Sequence, residues 1–176
     1  MPGPTGGRDH IIEPLGRHHD RAAFSSAAYP VFETYIRRRA GQDAKRRIAA
    51  PFVLCEKGNP AVLGFYTLSA CAVHLPDLPA DRVKKDRLPP GRVIPATLLG
   101  QLAVSDACRG KGLGEFLLLD ALDRAHRHSQ QIASYAVVVD ALDETAAGFY
   151  RHFDLLPMPA IPRRLYLPMA TVARLF

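Results

Sequence analysis

Between an apolar run that ends at Val104 and a helical stretch that begins near Gly112, the chain reads Arg109-Gly110-Lys111-Gly112-Leu113-Gly114. Residues 97–104 have the length and apolarity of a buried strand, and Leu113, Leu117, Ala121 and Ala125 recur every four positions over residues 112–128. The local order is therefore strand, glycine turn, helix. Glycines there let backbone N–H groups approach a ligand closely, and the helix N-terminus adds unsatisfied donors and the positive end of its dipole. A pyrophosphate is the guest such a turn fits. The same string also suits a chain that needs only a tight connection, so the turn alone leaves both readings open. Two common phosphate loops are excluded by spacing. A P-loop requires Gly-Lys-Ser/Thr, whereas Lys111 is followed by Gly112 and Leu113. A dinucleotide fingerprint accepts Gly110-x-Gly112 but meets Glu115 where its third glycine belongs, and no early βαβ unit precedes it.

The surrounding pattern predicts one mixed α/β domain. Residues 1–10 have the composition of a disordered leader, with the folded domain spanning residues 11–176. Phe32, Ile36, Ala40, Ala44 and Ile48 define an amphipathic helical region over residues 31–50, broken at Gly41, and Pro51 ends it. Residues 52–56 and 62–71 read as a β-hairpin around the turn Lys57-Gly58-Asn59-Pro60. Residues 75–95 carry repeated prolines, so any helix there is short and the rest is loop. Residues 132–139 read as a buried β-branched strand. Asp143 then caps a short helix bearing Ala146, Phe149, Tyr150 and Phe153, and a last strand falls at residues 165–169 after Pro157, Pro159 and Pro162.

Composition narrows the chemistry. The chain has 176 residues, 48% of them hydrophobic, and a formal charge of +6. That excess favours an acidic or phosphorylated partner. Three cysteines, Cys55, Cys71 and Cys108, are too few and too unevenly spaced for a disulfide framework or a four-ligand zinc site. There is neither an apolar stretch long enough to span a bilayer nor a signal-peptide pattern, so a soluble, cytoplasmic protein without membrane partners is expected. His18-His19 and His126-x-His128 have no carboxylate or cysteine at ligand spacing and read as solvated histidines, so no metal is expected. Cys108 lacks a partner base and reads as a small loop residue. Asp140 and Asp143 offer carboxylates able to act as a general base through water, although a cap is the plainer use of Asp143.

The pattern Arg/Gln-x-x-Gly-x-Gly/Ala, met by Arg109, Gly112 and Gly114 directly after Leu99-Gly100-Gln101-Leu102-Ala103-Val104, resembles the cofactor motif of the GCN5-related N-acetyltransferases (GNAT). Further stretches extend the likeness from about Ile11 to the C-terminus: residues 48–54, Gly64-Phe65-Tyr66-Thr67-Leu68, Val137-Val138-Val139-Asp140-Ala141, Ala146-x-x-Phe149-Tyr150 and Leu165-x-Leu167-Pro168-Met169. In that order they resemble the acetyltransferase toxins of type II toxin–antitoxin modules, the TacT and AtaT type. The resemblance implies a GNAT fold, a mixed and mostly antiparallel central sheet flanked by helices.

It also implies roles. Leu102, Ala103 and Val104 would contact the acyl and pantetheine portion of acetyl-coenzyme A, and Arg109, Gly110, Lys111, Gly112, Leu113 and Gly114 would hold its pyrophosphate. Asp140, Ala141, Asp143, Ala146 and Phe149 match positions flanking the thiol, and Tyr150 matches the tyrosine that protonates it. The chemistry needs such an acid, because an amine attacks the thioester and the thiolate must leave. A tyrosine, with a reference pKa of about 10, is protonated at neutral pH and donates. Taken by itself, Tyr150 reads equally as an aromatic packing beside Phe149 and Phe153. Two departures stand out: Phe153-Asp154-Leu155 replaces the family's Phe-Gly-Phe, where Asp154 tolerates a left-handed backbone, and Phe24-Ser25-Ser26-Ala27 replaces a Phe-x-Cys-Gly type sequence.

For the toxin branch the resemblance implies acetylation of the α-amino group of aminoacyl-tRNA, which blocks translation. It further implies a ribbon-helix-helix antitoxin, operator DNA bound only through the toxin–antitoxin complex, and a homodimer. A tRNA substrate demands phosphate contacts. Arg37, Arg38, Lys45 and Arg46, with Lys84, Lys85, Arg87 and Arg92, are the basic groups available, and charge runs of this kind also serve simply as solvated faces. Two other functions fit the same motifs: acetylation of a small amine or a protein N-terminus, and coenzyme-A binding by a regulator without turnover.

Overall fold

The computed structural model describes residues 9–176. In chain order its elements are β1 (His10–Pro14), α1 (Pro30–Arg38), α2 (Ala40–Arg46), β2 (Ala50–Glu56), β3 (Gly64–His74) and α3 (Ala80–Lys85). There follow β4 (Val93–Val104), α4 (Leu113–Ser129), β5 (Ala136–Asp140), α5 (Glu144–His152), β6 (Leu156–Pro157), β7 (Arg164–Pro168) and α6 (Met169–Val172). The strands hydrogen-bond in the order β1-β2-β3-β4-β5-β7-β6. Among the pairings described, β4 with β5 is parallel, while β1–β2, β2–β3, β5–β7 and β6–β7 are antiparallel. The mixed, mostly antiparallel sheet is the predicted class. No helix among the described residues is long and apolar enough to cross a membrane.

The chain divides into two compact units, the first comprising residues up to Ser69 together with Gly100–Ala121. Its core is aromatic: Phe24, Ile36 and Phe65 are completely buried, with Phe24 edge-on to Phe65 at 5.2 Å and Tyr35 stacked on the other side at 6.0 Å. Burial of each such side chain contributes about 1.5–3 kcal/mol. The predicted hairpin is β2 and β3, in register from Ala50↔Leu68 to Leu54↔Gly64. Gly64 is there for closeness, since a Cβ would lie 3.0 Å from the Ala103 carbonyl oxygen and from Leu117.

Two boundaries in this unit differ from the sequence reading. The leader expected over residues 1–10 lies outside the described residues for 1–8, but His10 pairs with Glu56 in β1 and the Asp9 carbonyl accepts from Lys57 N–H at 2.8 Å. The helical region breaks at Arg39 rather than Gly41. Arg39 ends α1 and starts α2 with φ −114°, a turn that drops Ala40 into the core at 0% exposure. Gly41 instead admits the Arg21 guanidinium, 3.3 Å from where its Cβ would stand.

The second unit comprises Ala70–Leu99 and Leu122–Phe176. Its centre is β5, whose Ala136, Val137, Val138 and Val139 are all buried, paired in parallel with Thr97, Leu98 and Leu99 and antiparallel with β7. The strand begins at Ala136 rather than at residue 132, because Gln131 and Ile132 N–H groups fold back onto the His128 carbonyl at 3.0 Å and leave Ile132 exposed. Short α3 packs Val83 and Leu88 against a cluster containing Ile94, Val138 and Tyr166.

Candidate active site

The glycine turn lies in the first unit. Residues 106–108 form a single 3-10 turn, after which Gly110 and Gly112 take φ values of +75° and +74°. Those conformations disfavour any residue with a Cβ. The first intrahelical bond of α4 runs from Phe116 N–H to the Gly112 carbonyl at 3.1 Å. Among the described residues, the N–H groups of residues 110–115 meet no acceptor. A continuous row of free donors at a helix start, with nothing within 4 Å of the absent Cβ atoms of Gly110 and Gly112, fits a diphosphate. Arg109 and Lys111 are exposed beside it, Arg109 loosely paired with Asp106 at 3.2 Å.

Asp106 does more than balance Arg109. Its Oδ2 accepts from Ala27 N–H at 2.7 Å, its own N–H donates to the Ser25 carbonyl at 2.9 Å, and Ser25 N–H donates to the Ser105 hydroxyl at 3.1 Å. Ser25-Ser26-Ala27, the stretch that departs from the family sequence, thus moors the residues leading into the glycine turn. The sequence marked that departure without showing what it holds, because the partners lie about eighty positions away in the chain.

The tyrosine lies in the second unit. Asp143 caps α5, its Oδ1 accepting from Ala146 N–H at 2.8 Å. Tyr150, one turn before the other end, is buried at 7% exposure, with Phe149 edge-on at 5.2 Å and Phe149 in turn edge-on to Phe153 at 5.1 Å. Among the described residues its hydroxyl makes no hydrogen bond. Burial in these apolar surroundings pushes its pKa above the usual tyrosine value, so the proton stays on at neutral pH. Asp154 takes φ +65° and closes the helix end, its N–H donating to the Arg151 carbonyl and Leu155 N–H to the Tyr150 carbonyl. The left-handed turn expected where the family carries glycine is formed.

Asp140 offers no free carboxylate, since Arg164 grips it through Nε at 2.6 Å and Nη2 at 2.8 Å. Ala141 N–H donates to the Arg163 carbonyl, and Arg163 Nη1 reaches the Leu142 carbonyl, both at 2.9 Å. Two consecutive arginines therefore fix the turn from which α5 starts, a role that spacing in the sequence did not signal. Leu102, Ala103 and Val104 end β4 in the first unit; Ala146 and Phe149 lie on α5 in the second.

The basic groups divide. Arg37 is held by Glu33 at 2.6 Å and donates to the Ala22 and Phe24 carbonyls at 2.9 and 2.8 Å, so its guanidinium is committed to the fold. Arg38, Lys45, Arg46, Lys84, Lys85, Arg87 and Arg92 are exposed, with no ion pair among the described residues. The histidines also differ from expectation. His19 is buried, and Glu13 reaches both His19 at 2.8 Å and His18 at 3.3 Å. Their donors hold the Glu13 carboxyl below its ordinary value. Gly16 N–H donates to His19 Nδ1 at 2.8 Å, so Nε2 carries the hydrogen and gives it to Glu13. These hydrogen bonds account for the cluster, and they leave His19 Nε2 no lone pair for a metal.

A sequence model described as the acetyltransferase (GNAT) family matches residues 21–154. The chain belongs to the GNAT acetyltransferase family. Within it, this GNAT chain is 37% identical over 150 residues to a tRNA-acetylating toxin of Mycobacterium tuberculosis, covering 85% of this chain and 86% of the relative. It is 32% identical to a probable toxin TacT of Sinorhizobium fredii, covering 97% of each chain. The GNAT fold matches that of AtaT complexed with acetyl-methionyl-tRNAfMet, with TM-score 0.86, 24% identity and coverage of 96% and 99%. It also matches a mutant of AtaT bound to the C-terminus of the antitoxin AtaR and acetyl-CoA, with TM-score 0.80, 22% identity and coverage of 96% and 98%.

Proposed function

We propose that this protein is the toxin of a type II toxin–antitoxin system, an N-acetyltransferase that moves acetyl from acetyl-CoA to the α-amino group of aminoacyl-tRNA and so blocks translation. The observation that carries the tRNA half of the reading is the 37% identity to a tRNA-acetylating toxin over 85% of the chain. The acetyltransferase half rests on the family and on two features of this chain, the free N–H row of residues 110–115 and the unbonded hydroxyl of the largely buried Tyr150.

Acetyl-CoA supplies the acetyl group as an activated thioester. The N–H groups of Gly110, Lys111, Gly112, Leu113 and Gly114 hold its pyrophosphate, helped by Arg109 and Lys111, and the backbone of Leu102, Ala103 and Val104 aligns the acyl arm. Ala141, Ala146 and Phe149 contribute apolar surface towards the thiol end, while Asp140 and Asp143 act by fixing the turn and helix that carry Tyr150. Tyr150 gives its hydroxyl proton to the departing sulfur. A phenol with a raised pKa is fully protonated at neutral pH, which is the state a general acid requires. No metal enters this scheme. Arg38, Lys45, Arg46, Lys84, Lys85, Arg87 and Arg92 contact the tRNA backbone, where each neutralised phosphate releases counterions. The partner that silences the enzyme is a ribbon-helix-helix antitoxin, through which the complex reaches operator DNA, and the toxin acts in the cytoplasm as a homodimer.

Induced expression in a bacterial host tests the reading. The wild-type chain arrests growth and amino-acid incorporation within minutes of induction, and the Tyr150→Phe chain, at equal abundance, does not. Continued protein synthesis in cells carrying active wild-type enzyme would contradict it.

A further inference from the structure

The basic segment around α3 contains two acidic residues, Asp81 on its exposed first turn and Asp86 among the cations at its end, and the fold draws Asp86 away from the surface. Asp86 directly follows α3, between Lys84-Lys85 and Arg87. Its Oδ2 accepts from the Tyr135 hydroxyl at 2.6 Å, a bond spanning 49 positions in sequence, and its Oδ1 lies 3.6 Å from Arg82 Nη1. Asp86 and Arg82 are both largely covered, whereas Lys84, Lys85, Arg87 and Arg92 are exposed.

Tyr135 is a fixed post. Its N–H donates to the Pro95 carbonyl at 2.8 Å and its own carbonyl accepts from Met169 N–H at 2.7 Å, while its ring packs against the buried cluster of this unit. Next to Asp86, Arg87 takes φ +51°, a left-handed conformation that costs a non-glycine residue free energy, and Leu88 N–H closes the turn onto the Val83 carbonyl at 3.1 Å. A strained turn of this kind persists where its surroundings hold it. The Asp86–Tyr135 bond holds it from the residue immediately before.

We propose that Tyr135 and Asp86 are positioning residues for the nucleic-acid substrate: they pin the end of α3 to β5's entry so that Lys84, Lys85 and Arg87 present positive charge to the phosphates of tRNA without the Asp86 carboxylate among them. This rests on the reading of the substrate as aminoacyl-tRNA. Without the pin, the Asp86 carboxylate is released among the cations it now avoids, and it weakens their field at a few ångströms' range.

The test is steady-state kinetics of the full-length enzyme with charged tRNA and acetyl-CoA varied separately. Tyr135→Phe removes only the hydroxyl and leaves the ring in place. Its KM for tRNA is expected to rise about five- to tenfold, the scale of losing one hydrogen bond of ordinary net strength. Its kcat and its KM for acetyl-CoA stay unchanged, and the log–log dependence of tRNA KM on salt flattens by about one. In a Lys84→Gln/Lys85→Gln/Arg87→Gln background, Tyr135→Phe adds nothing further, a non-additivity that a merely structural tyrosine would not produce. If Tyr135→Phe lowers the melting temperature, adding Asp86→Asn, which removes the carboxylate charge, must bring the tRNA KM back towards the wild-type value while the melting temperature stays low. An unchanged tRNA KM, an equal loss against both substrates, or full additivity on the triple variant would overturn the proposal while leaving the enzyme a tRNA acetyltransferase. A wild-type enzyme that acetylates no tRNA would overturn the substrate reading instead.

Discussion

The proposed chemistry turns on Tyr150, a largely buried side chain whose hydroxyl makes no hydrogen bond among the described residues. Tyr150→Phe is expected to cut acetyl transfer by about a hundredfold or more, the scale of general-acid catalysis, while calorimetry finds acetyl-CoA affinity unchanged. Transfer at the wild-type rate would remove Tyr150 from the mechanism. Gly112 is the second sensitive residue. Its φ of +74° and the open space around it mean that Gly112→Ala meets a conformational penalty without a clash. That penalty is about 1–2 kcal/mol, which a thermal melt reads as a fall of a few degrees, accompanied by a raised KM for acetyl-CoA. A variant with wild-type values for both would show that the left-handed turn is not needed.

At the scale of elements, α5 illustrates what sequence and fold each reveal. Its start was legible, because Asp143 three residues before Ala146 is a capping pattern and the bond is formed at 2.8 Å. Its end rests on Asp154, where the left-handed backbone survives the loss of the family's glycine. Asp154→Gly is therefore expected to stabilise the protein by up to about 1 kcal/mol, visible as a higher melting temperature at unchanged activity. A lower melting temperature would mean that the Asp154 side chain contributes more than its backbone costs. Strands and helices with strong periodicity, such as β2, β3 and α4, were equally plain in the sequence. β1 was not, since its five residues include Pro14 and an exposed Ile11 and carry little alternation. The break between α1 and α2 was placed at the glycine by propensity, yet the burial of the methyl group of Ala40 set it at Arg39, a tertiary cause that local composition does not carry. The arginine pair at residues 163–164 and the serines at 25–26 were invisible for the same reason: their partners are distant in the chain.

Across the whole molecule, the net charge of +6 separates into cations with different duties. Arg37, Arg163 and Arg164 serve the fold, Arg127 and Arg151 pair with Asp123 and Glu144, Arg109 and Lys111 stand by the glycine turn, and Arg38, Lys45, Arg46, Lys84, Lys85, Arg87 and Arg92 are exposed without an ion pair among the described residues. Stability carries a further whole-molecule signature. Burial, reinforced by Asp43 and Asp86 respectively, raises the pKa of Tyr35 and Tyr135, and burial alone raises that of Tyr150. The folded chain thus keeps phenolic protons that the unfolded chain releases near pH 10. Stability contributed below that pH is lost as pH climbs beyond it, and denaturant midpoints should fall steadily above about pH 10. Midpoints that stay level well into that range would contradict the burial of these hydroxyls.

The central claim is the transfer itself. Purified enzyme is mixed with acetyl-CoA and total aminoacyl-tRNA, the RNA is digested with nuclease, and the 3′-terminal aminoacyl-adenosines are weighed by mass spectrometry. Acetyl on the α-amino group of the aminoacyl-adenosine, with one free thiol released per acetyl transferred, is the predicted result. Unmodified aminoacyl-adenosine, alongside acetyl on a small amine or on a protein N-terminus, would contradict it.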